Sequence, residues 1–347
     1  MRVSDYSYTL PKDKIAQHPP ALRGQSRLLV LDRAQGKLAD RQYRDVGEYL
    51  DPGDVLVIND TRVIKARLIA LDAYNKAVEL VLLEKHGRHE DRHRHKVLYR
   101  GRLGVKDTLK VGKEELRVEA VEEGGTAVVT SAVAIENLSA TQGKVPLPPY
   151  MKREATAEDE LRYQTVFARE KGSVAAPTAS LNMTEALLSE LEAKGVQLCT
   201  LTLHVGLGTF LPIRSDEVEG HTMHSEYFEI PAETVRVIRS AKQAGKRVVA
   251  LGTTVARTLE YAHGDILEGN AKGRVIMGEA NIFIYPGYRF ELVDVLITNF
   301  HAPKSTVLML AAAFAGWNNL ARAYQHALEN DYRFLSYGDS MLITKQL

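Results

Sequence analysis

The chain has 347 residues, with 45 Lys/Arg against 44 Asp/Glu, 45% hydrophobic and 26% charged residues, and one cysteine. This length exceeds what one hydrophobic core usually organises, so two domains are expected, and the composition is that of an ordinary globular protein. A net charge of +1 does not announce a polyanion partner, so any nucleic-acid surface must be local. No run of about 18 apolar residues occurs, and the start MRVSDYSYTLPKDK lacks the features of a secretory signal. A cytoplasmic chain is expected. Cys199 alone supplies neither an internal disulfide nor a thiolate metal site, and is expected as a small buried residue of a strand.

In chain order, SRLLVLDR (Ser26 to Arg33) and GDVLVINDT (Gly53 to Thr61) are short apolar runs bounded by turn residues, which predicts buried strands. From Arg62 to Lys144 the pattern alternates, as in AVELVLLEK, DTLKV, LRVEAV and TAVVTS, and no helix is expected in this compact antiparallel β unit. Within it, His86 to Arg117 carries ten Lys/Arg against five Asp/Glu, together with His86, His89, His93 and His95. That stretch is either a solvated face or an RNA contact. VPLPPYM (Val145 to Met151) has three prolines and suits a boundary.

Beyond it the period becomes helical. Thr184 to Lys194 is a helix stopped by Gly195, and Pro231 to Ala244 is another stopped by Gly245. RVVALG and VDVLITN read as strands, TTVARTLEYA as a helix, and STVLMLAAAFAG as a helix with Ser305 at its N-cap. Alternating strands and helices predict a mixed α/β core made of residues 1–61 and 145–347, with residues 62–144 inserted into it.

Four clusters of polar or small residues fall at strand ends, where open α/β sheets place their sites. In GSVAAPTASLNMTE, the small residues Ala175, Ala176, Pro177 and Thr178 admit a ligand close to the backbone ahead of a helix. In LHVGLGTFLPI and HTMHSEYFEI, His204, a Gly206-x-Gly208 turn, Thr209 and Phe210 precede His221, His224 and Glu226. These histidines suit proton transfer or substrate binding; metal ligation and a purely structural role are the alternatives. In ITNFHAPKSTVLML, Asn299, His301 and Lys304 lead into a helix N-terminus that favours negative charge. In VINDTRV, Asp60 and Arg62 end a strand, where an Asn-Asp turn is the alternative.

The ordered blocks GDVLVINDTRVIKARL, KVPLPPYMKREATAEDELRYQTVFA, GSVAAPTA, LHVGLGTF, HTMHSEYFEI, LGTTVARTLE and NFHAPKSTVLML resemble those of the S-adenosylmethionine:tRNA ribosyltransferase-isomerases of queuosine synthesis, from about Asp5 to Leu342. The resemblance implies a larger α/β domain of barrel-like form with a smaller inserted β-barrel. It implies S-adenosylmethionine as co-substrate, a tRNA with a GUN-type anticodon as partner, and no metal. The ribosyl portion would move to 7-aminomethyl-7-deazaguanine at the wobble position, giving epoxyqueuosine-tRNA, adenine and methionine. His204, His224 and Glu226 become candidates for the proton steps. Asp60 and Lys304 would hold hydroxyl, carboxylate or phosphate groups, and Arg62, His221 and His301 would bind substrate. Gly206, Gly208 and Ala175 to Thr178 would let the nucleoside lie against the backbone. All these turns should converge on one cleft.

Two departures stand out. Where the family continues with Gly-Leu-His-Phe, this chain has Ser180, Leu181, Asn182 and Met183, and no tryptophan precedes YRGRLG. A related transferase on another base, or an RNA-binding protein without catalysis, are the competing functions. With no heptad pattern, a monomer is expected.

Overall fold

The computed structural model describes residues 1–83, 91–206, 213, 215–268 and 274–345. The chain opens with β1 (Arg27–Asp32), β2 (Leu38–Gln42), β3 (Val55–Asn59) and the short β4 (Thr61–Val63). Six strands follow: β5 (Arg67–Leu71), β6 (Ala77–Leu82), β7 (Arg94–Arg100), β8 (Thr108–Val111), β9 (Glu114–Glu122) and β10 (Thr126–Ser131). Helices α1 (Ile135–Gln142) and α2 (Ala157–Arg162) then lead to β11 (Glu170–Ser173), α3 (Glu185–Lys194), β12 (Gln197–Leu203) and β13 (Glu226–Ile230). The remainder is α4 (Ala232–Gln243), β14 (Val248–Leu251), α5 (Thr253–Tyr261), α6 (His263–Glu268) and β15 (Ile276–Ala280), then β16 (Val295–Asn299), α7 (Thr306–Ala315), α8 (Trp317–Glu329) and β17 (Ser340–Thr344).

Nine strands form one sheet in the order β15-β13-β12-β3-β14-β16-β17-β1-β2. Its centre, β12-β3-β14-β16, is parallel, and β13 and β15 add antiparallel strands beside β12. Successive side chains of a strand face opposite ways, and here both faces are apolar. Val55, Val57, Leu201, Ala250 and Leu296 pack under α4, α5, α7 and α8. Leu56, Ile58, Val249, Val295 and Ile297 pack on the other side with Met183, Leu187 and Leu191. The fold is thus mixed α/β, with helices on both faces of a largely parallel centre.

The inserted strands close into a six-stranded antiparallel barrel, β10-β7-β6-β5-β8-β9. Its alternating residues, among them Leu68, Val78, Leu80, Val97, Leu116 and Val129, fill the interior. One expectation is corrected: the stretch from Arg62 to Lys144 does contain a helix, α1. The sequence IENLSATQ is short and largely polar, so its periodicity is weak. Burial of Ile135 and Leu138 against the barrel core stabilises it, an effect of tertiary contact rather than local preference.

Helix ends follow the sequence signals. Thr184 Oγ1 caps α3 by accepting from the Leu187 N–H, and Gly195 ends it in the left-handed region at φ 94°. Ser305 caps α7 by accepting from the Leu308 N–H. Among the described residues no helix is long and apolar enough to cross a membrane.

Candidate active site

The parallel strands β3, β12, β14 and β16 run the same way, so Asn59, Leu203, Leu251 and Asn299 end on one edge of the sheet. Asn59 stitches that edge together. Its amide donates to the Leu203 carbonyl (3.0 Å) and its Oδ1 accepts from the N–H groups of Leu203 (3.0 Å) and Thr61 (3.1 Å). Asp60 is equally occupied: Oδ1 accepts from the Thr202 hydroxyl (2.6 Å) and Oδ2 from Arg169 (2.7 Å). Burial pushes its carboxyl up, against the pull of those two partners. Asp60 therefore braces the junction of β3, β11 and β12.

Three cavities open near this edge. The first, about 90 Å³, is lined by Ala176, Pro177, Thr178, Gly252, Asn299 and His301, among others. Thr178 Oγ1 donates to Asn299 Oδ1 (2.9 Å), and His301 Nε2 shares a hydrogen bond with Thr298 Oγ1 (2.8 Å). Burial lowers His301 to about 3, so it is a neutral hydrogen-bonding group at physiological pH.

The second, about 20 Å³, adjoins the first through the shared Thr253, Thr254 and Val307 and is lined by Glu226 and Arg257. Glu226 is 1% exposed; its Oε1 accepts from the Gly206 N–H (2.9 Å) and lies 3.5 Å from His224 Nε2, while Oε2 contacts the Arg257 guanidinium. Burial lowers Arg257 to about 10, which leaves it cationic near neutrality. Held between a guanidinium and an amide N–H, the Glu226 carboxylate is fixed in place and suits orienting His224.

The third is a cleft of about 900 Å³ between the barrel and the core, with His204, Gly172, Arg62, Lys171, Tyr227 and Glu229 in its lining. The His204 ring stacks on Tyr227 and hydrogen-bonds Thr61 Oγ1 through Nδ1 (2.8 Å). Burial lowers its pKa, outweighing Glu229 and Glu170. Only a glycine fits beside it, because a Cβ on Gly172, whose φ is +154°, would stand 2.7 Å from His204 Nε2.

The expectation of a single shared cleft is corrected. His204 and Glu226 leave the β12–β13 ladder on opposite faces: His204 sides with Tyr227 toward the large cleft, Glu226 with Arg257 toward the small cavities. The physical reason is the two-residue period of the strand. Between the cavities run Ser173 to Ala175 and Val205, tied by the N–H groups of Val174 (3.1 Å) and Ala175 (3.2 Å) to the Val205 carbonyl.

Lys304 and His221 fall outside the linings of these three cavities. Lys304 is exposed at φ 58°, its carbonyl accepting from the Ile213 N–H. His221 packs edge-on against Phe283. Gly208, Thr209, Phe210, His86 and His89 lie outside the described residues. In the basic stretch, Arg94 pairs with Glu119, Lys96 with Glu122 and Arg92 with Glu136, while His95 is buried and donates to the Leu83 carbonyl. Cys199 is buried in β12 and its thiol is pushed up to about 11.

The departure at Asn182 has a structural role. Its amide donates to the Gly338 carbonyl (3.1 Å) and Ser340 Oγ (3.2 Å), bracing the segment behind Asn299. Arg257 escaped the sequence analysis, although a charge among Val255, Ala256 and Leu259, all buried on α5, was a legible signal.

Comparison with known proteins agrees with this architecture. Residues 3–343 match the family described as queuosine biosynthesis protein. The chain is 54% identical to the S-adenosylmethionine:tRNA ribosyltransferase-isomerase of Chlorobaculum parvum over 345 residues, 99% of this chain and 100% of that one. It is 46% identical to the same-named protein of Syntrophotalea carbinolica, again over 99% and 100% of the two chains. The crystal structure of S-adenosylmethionine tRNA ribosyltransferase from Thermotoga maritima is similar at a TM-score of 0.55 and 33% identity, covering 98% of this chain and 99% of that one. Agreement of this extent, through the core and the inserted barrel alike, makes the chain a member of the queuosine biosynthesis protein family.

Proposed function

We propose that this chain transfers and isomerises the ribosyl portion of S-adenosylmethionine onto 7-aminomethyl-7-deazaguanine in a tRNA, giving epoxyqueuosine-tRNA, adenine and methionine. The observation that carries this reading is end-to-end similarity to relatives of that name, 54% identical over 99% of the chain. The acceptor is the wobble base of a GUN-type anticodon, the enzyme acts as a cytoplasmic monomer, and no metal takes part. Residues 62–144 form the inserted domain; 1–61 and 145–347 form the catalytic core.

The reaction sets physical demands. The sulfonium acidifies the C5′ hydrogen, so a base is needed beside the ribose; adenine departs more readily when protonated; the acceptor amine attacks as the neutral form; and epoxide closure expels methionine. The pocket of Ala176 to Thr178, Asn299 and His301 suits the nucleoside, because its small side chains and neutral hydrogen-bonding groups meet a hydroxyl-rich ligand without opposing its cationic sulfur. The large cleft, with His204 in its wall and Arg62 and Lys171 beside it, suits the acceptor nucleotide and its phosphate. His224, backed by the carboxylate of Glu226, and His204 divide the proton steps.

The test follows free adenine and the mass of the modified nucleoside when the protein meets S-adenosylmethionine and tRNA carrying the aminomethyl-deazaguanine. Adenine should appear only with both substrates present. His224→Ala should slow its release by about 100-fold or more. Binding of tRNA with no adenine release under any condition would instead indicate a non-catalytic RNA-binding protein.

A further inference from the structure

We infer that Arg257, Thr306 and the N-terminus of α5 form a receptor for the carboxylate of the sulfonium donor's methionine tail. This rests on the ribosyl-transfer reading above and adds to it the subsite that recognises the amino-acid end of the donor.

Three features meet in the cavity of about 20 Å³. Arg257 is 5% exposed, lines the cavity, and gives Nη2 to Glu226, while Nη1 has no hydrogen-bond partner among the described residues. A buried guanidinium N–H left unpaired costs free energy until a ligand satisfies it. Thr306, also 5% exposed and lining the cavity, has a buried hydroxyl that is likewise without a partner among the described residues. Two orphaned polar groups in a space of one or two water molecules match the two oxygens of a carboxylate.

The third feature is backbone. No side chain caps α5: its N-cap is Gly252, and the first intrahelical bond runs from the Ala256 N–H to the Gly252 carbonyl. The amides of Thr253 to Val255 therefore lie ahead of the helical ladder, at the positive end of the helix dipole. Arg257 sits four residues on from Thr253, and long helical side chains lean back toward the N-terminus, so its guanidinium and those amides address the same space. Because Glu226 neutralises the charge of Arg257, the amides supply the remaining attraction for an anion.

The position is also right for the donor. Thr253, Thr254 and Val307 line both this cavity and the adjoining pocket of about 90 Å³ proposed for the nucleoside. A ligand with its adenosine in the larger space thus extends its tail toward Arg257.

The test compares S-adenosylmethionine with decarboxylated S-adenosylmethionine, which keeps the sulfonium and amine, by titration calorimetry. The wild type should bind the carboxylated form about 30-fold more tightly, as expected for charge-assisted hydrogen bonds. That preference should fall below about 5-fold in Arg257→Gln, weaken in Thr306→Val, and persist in part in Arg257→Lys. Equal wild-type affinity for the two nucleosides would overturn the subsite while leaving ribosyl transfer standing. An undiminished preference in both Arg257→Gln and Thr306→Val would do the same. Failure of the wild type to bind either nucleoside, with or without tRNA, would overturn both readings. Should Arg257→Gln not fold, Thr306→Val and the wild-type comparison still decide the matter.

Discussion

Removing one member of the Arg257–Glu226 pair should cost far more than removing both. The two side chains are 6% and 1% exposed, so neither charge regains water when its partner is lost. Among its described contacts, Arg257→Met leaves the carboxylate with the Gly206 N–H at 2.9 Å and His224 at 3.5 Å, neither of which is a permanent cation. Glu226→Gln leaves the guanidinium facing an amide that cannot neutralise it. Stranding a buried charge costs about 3–5 kcal/mol, whereas replacing a whole buried pair with uncharged side chains of similar volume is often close to neutral. The double variant Glu226→Gln/Arg257→Met should therefore be more stable than either single variant by at least about 2 kcal/mol, despite carrying both changes. Urea unfolding, with stability taken from midpoint and slope, measures all four corners of the cycle. A double variant that loses the sum of the two single losses would show that the side chains are independent, and the account of Glu226 as an arginine-held carboxylate would be wrong.

Three further outcomes are expected. Gly172→Ala places a Cβ 2.7 Å from His204 Nε2 and should displace the ring from Thr61, lowering kcat by about 100-fold while the Kd for S-adenosylmethionine changes less than about 3-fold; an unchanged kcat would remove His204 from the proton steps. His301 is held neutral down to about pH 3, whereas in the unfolded chain it takes up a proton near pH 6.5. The unfolded state therefore binds more protons in that interval and stability falls as pH falls, so His301→Gln should remove about 1.4 kcal/mol per pH unit from the slope of stability between about pH 4 and 6. An unaltered slope in urea titrations at several pH values would refute this. Asn182→Ala deletes two buried hydrogen bonds, to Gly338 and Ser340, and should cost about 2 kcal/mol; a loss under about 0.5 kcal/mol in the same assay would mean that Asn182 braces nothing.

Much of the secondary structure was legible because its causes are local. The all-buried run Val55–Asn59 and the alternation of Ala77–Leu82 carry their burial pattern in the order of residues, and Thr184, Gly195 and Ser305 mark helix ends through hydrogen bonds or backbone conformations that nearby residues satisfy. The gathering of the candidate residues at strand ends was legible for a similar reason, since parallel strands expose their last residues on one edge. The helix α1 was not, because Ile135 and Leu138 meet the barrel core only after the chain has folded.

The sequence by itself determined the α/β character, the inserted β unit, and the blocks of glycine, alanine and histidine that carry the family resemblance. Only the tertiary structure decided which partners each polar residue meets. In the sequence Asp60 shows only a carboxylate at a strand end; in the fold Thr202 and Arg169, 142 and 109 residues away in the chain, each donate to one of its oxygens. His204, just past β12, and Glu226, on the paired β13, line different cavities, and Arg257 meets Glu226 from another element. Chain order fixes which side chains alternate along a strand. Which groups share a buried space, and hence which hydrogen bonds and charges are satisfied, depends on elements distant in sequence coming together.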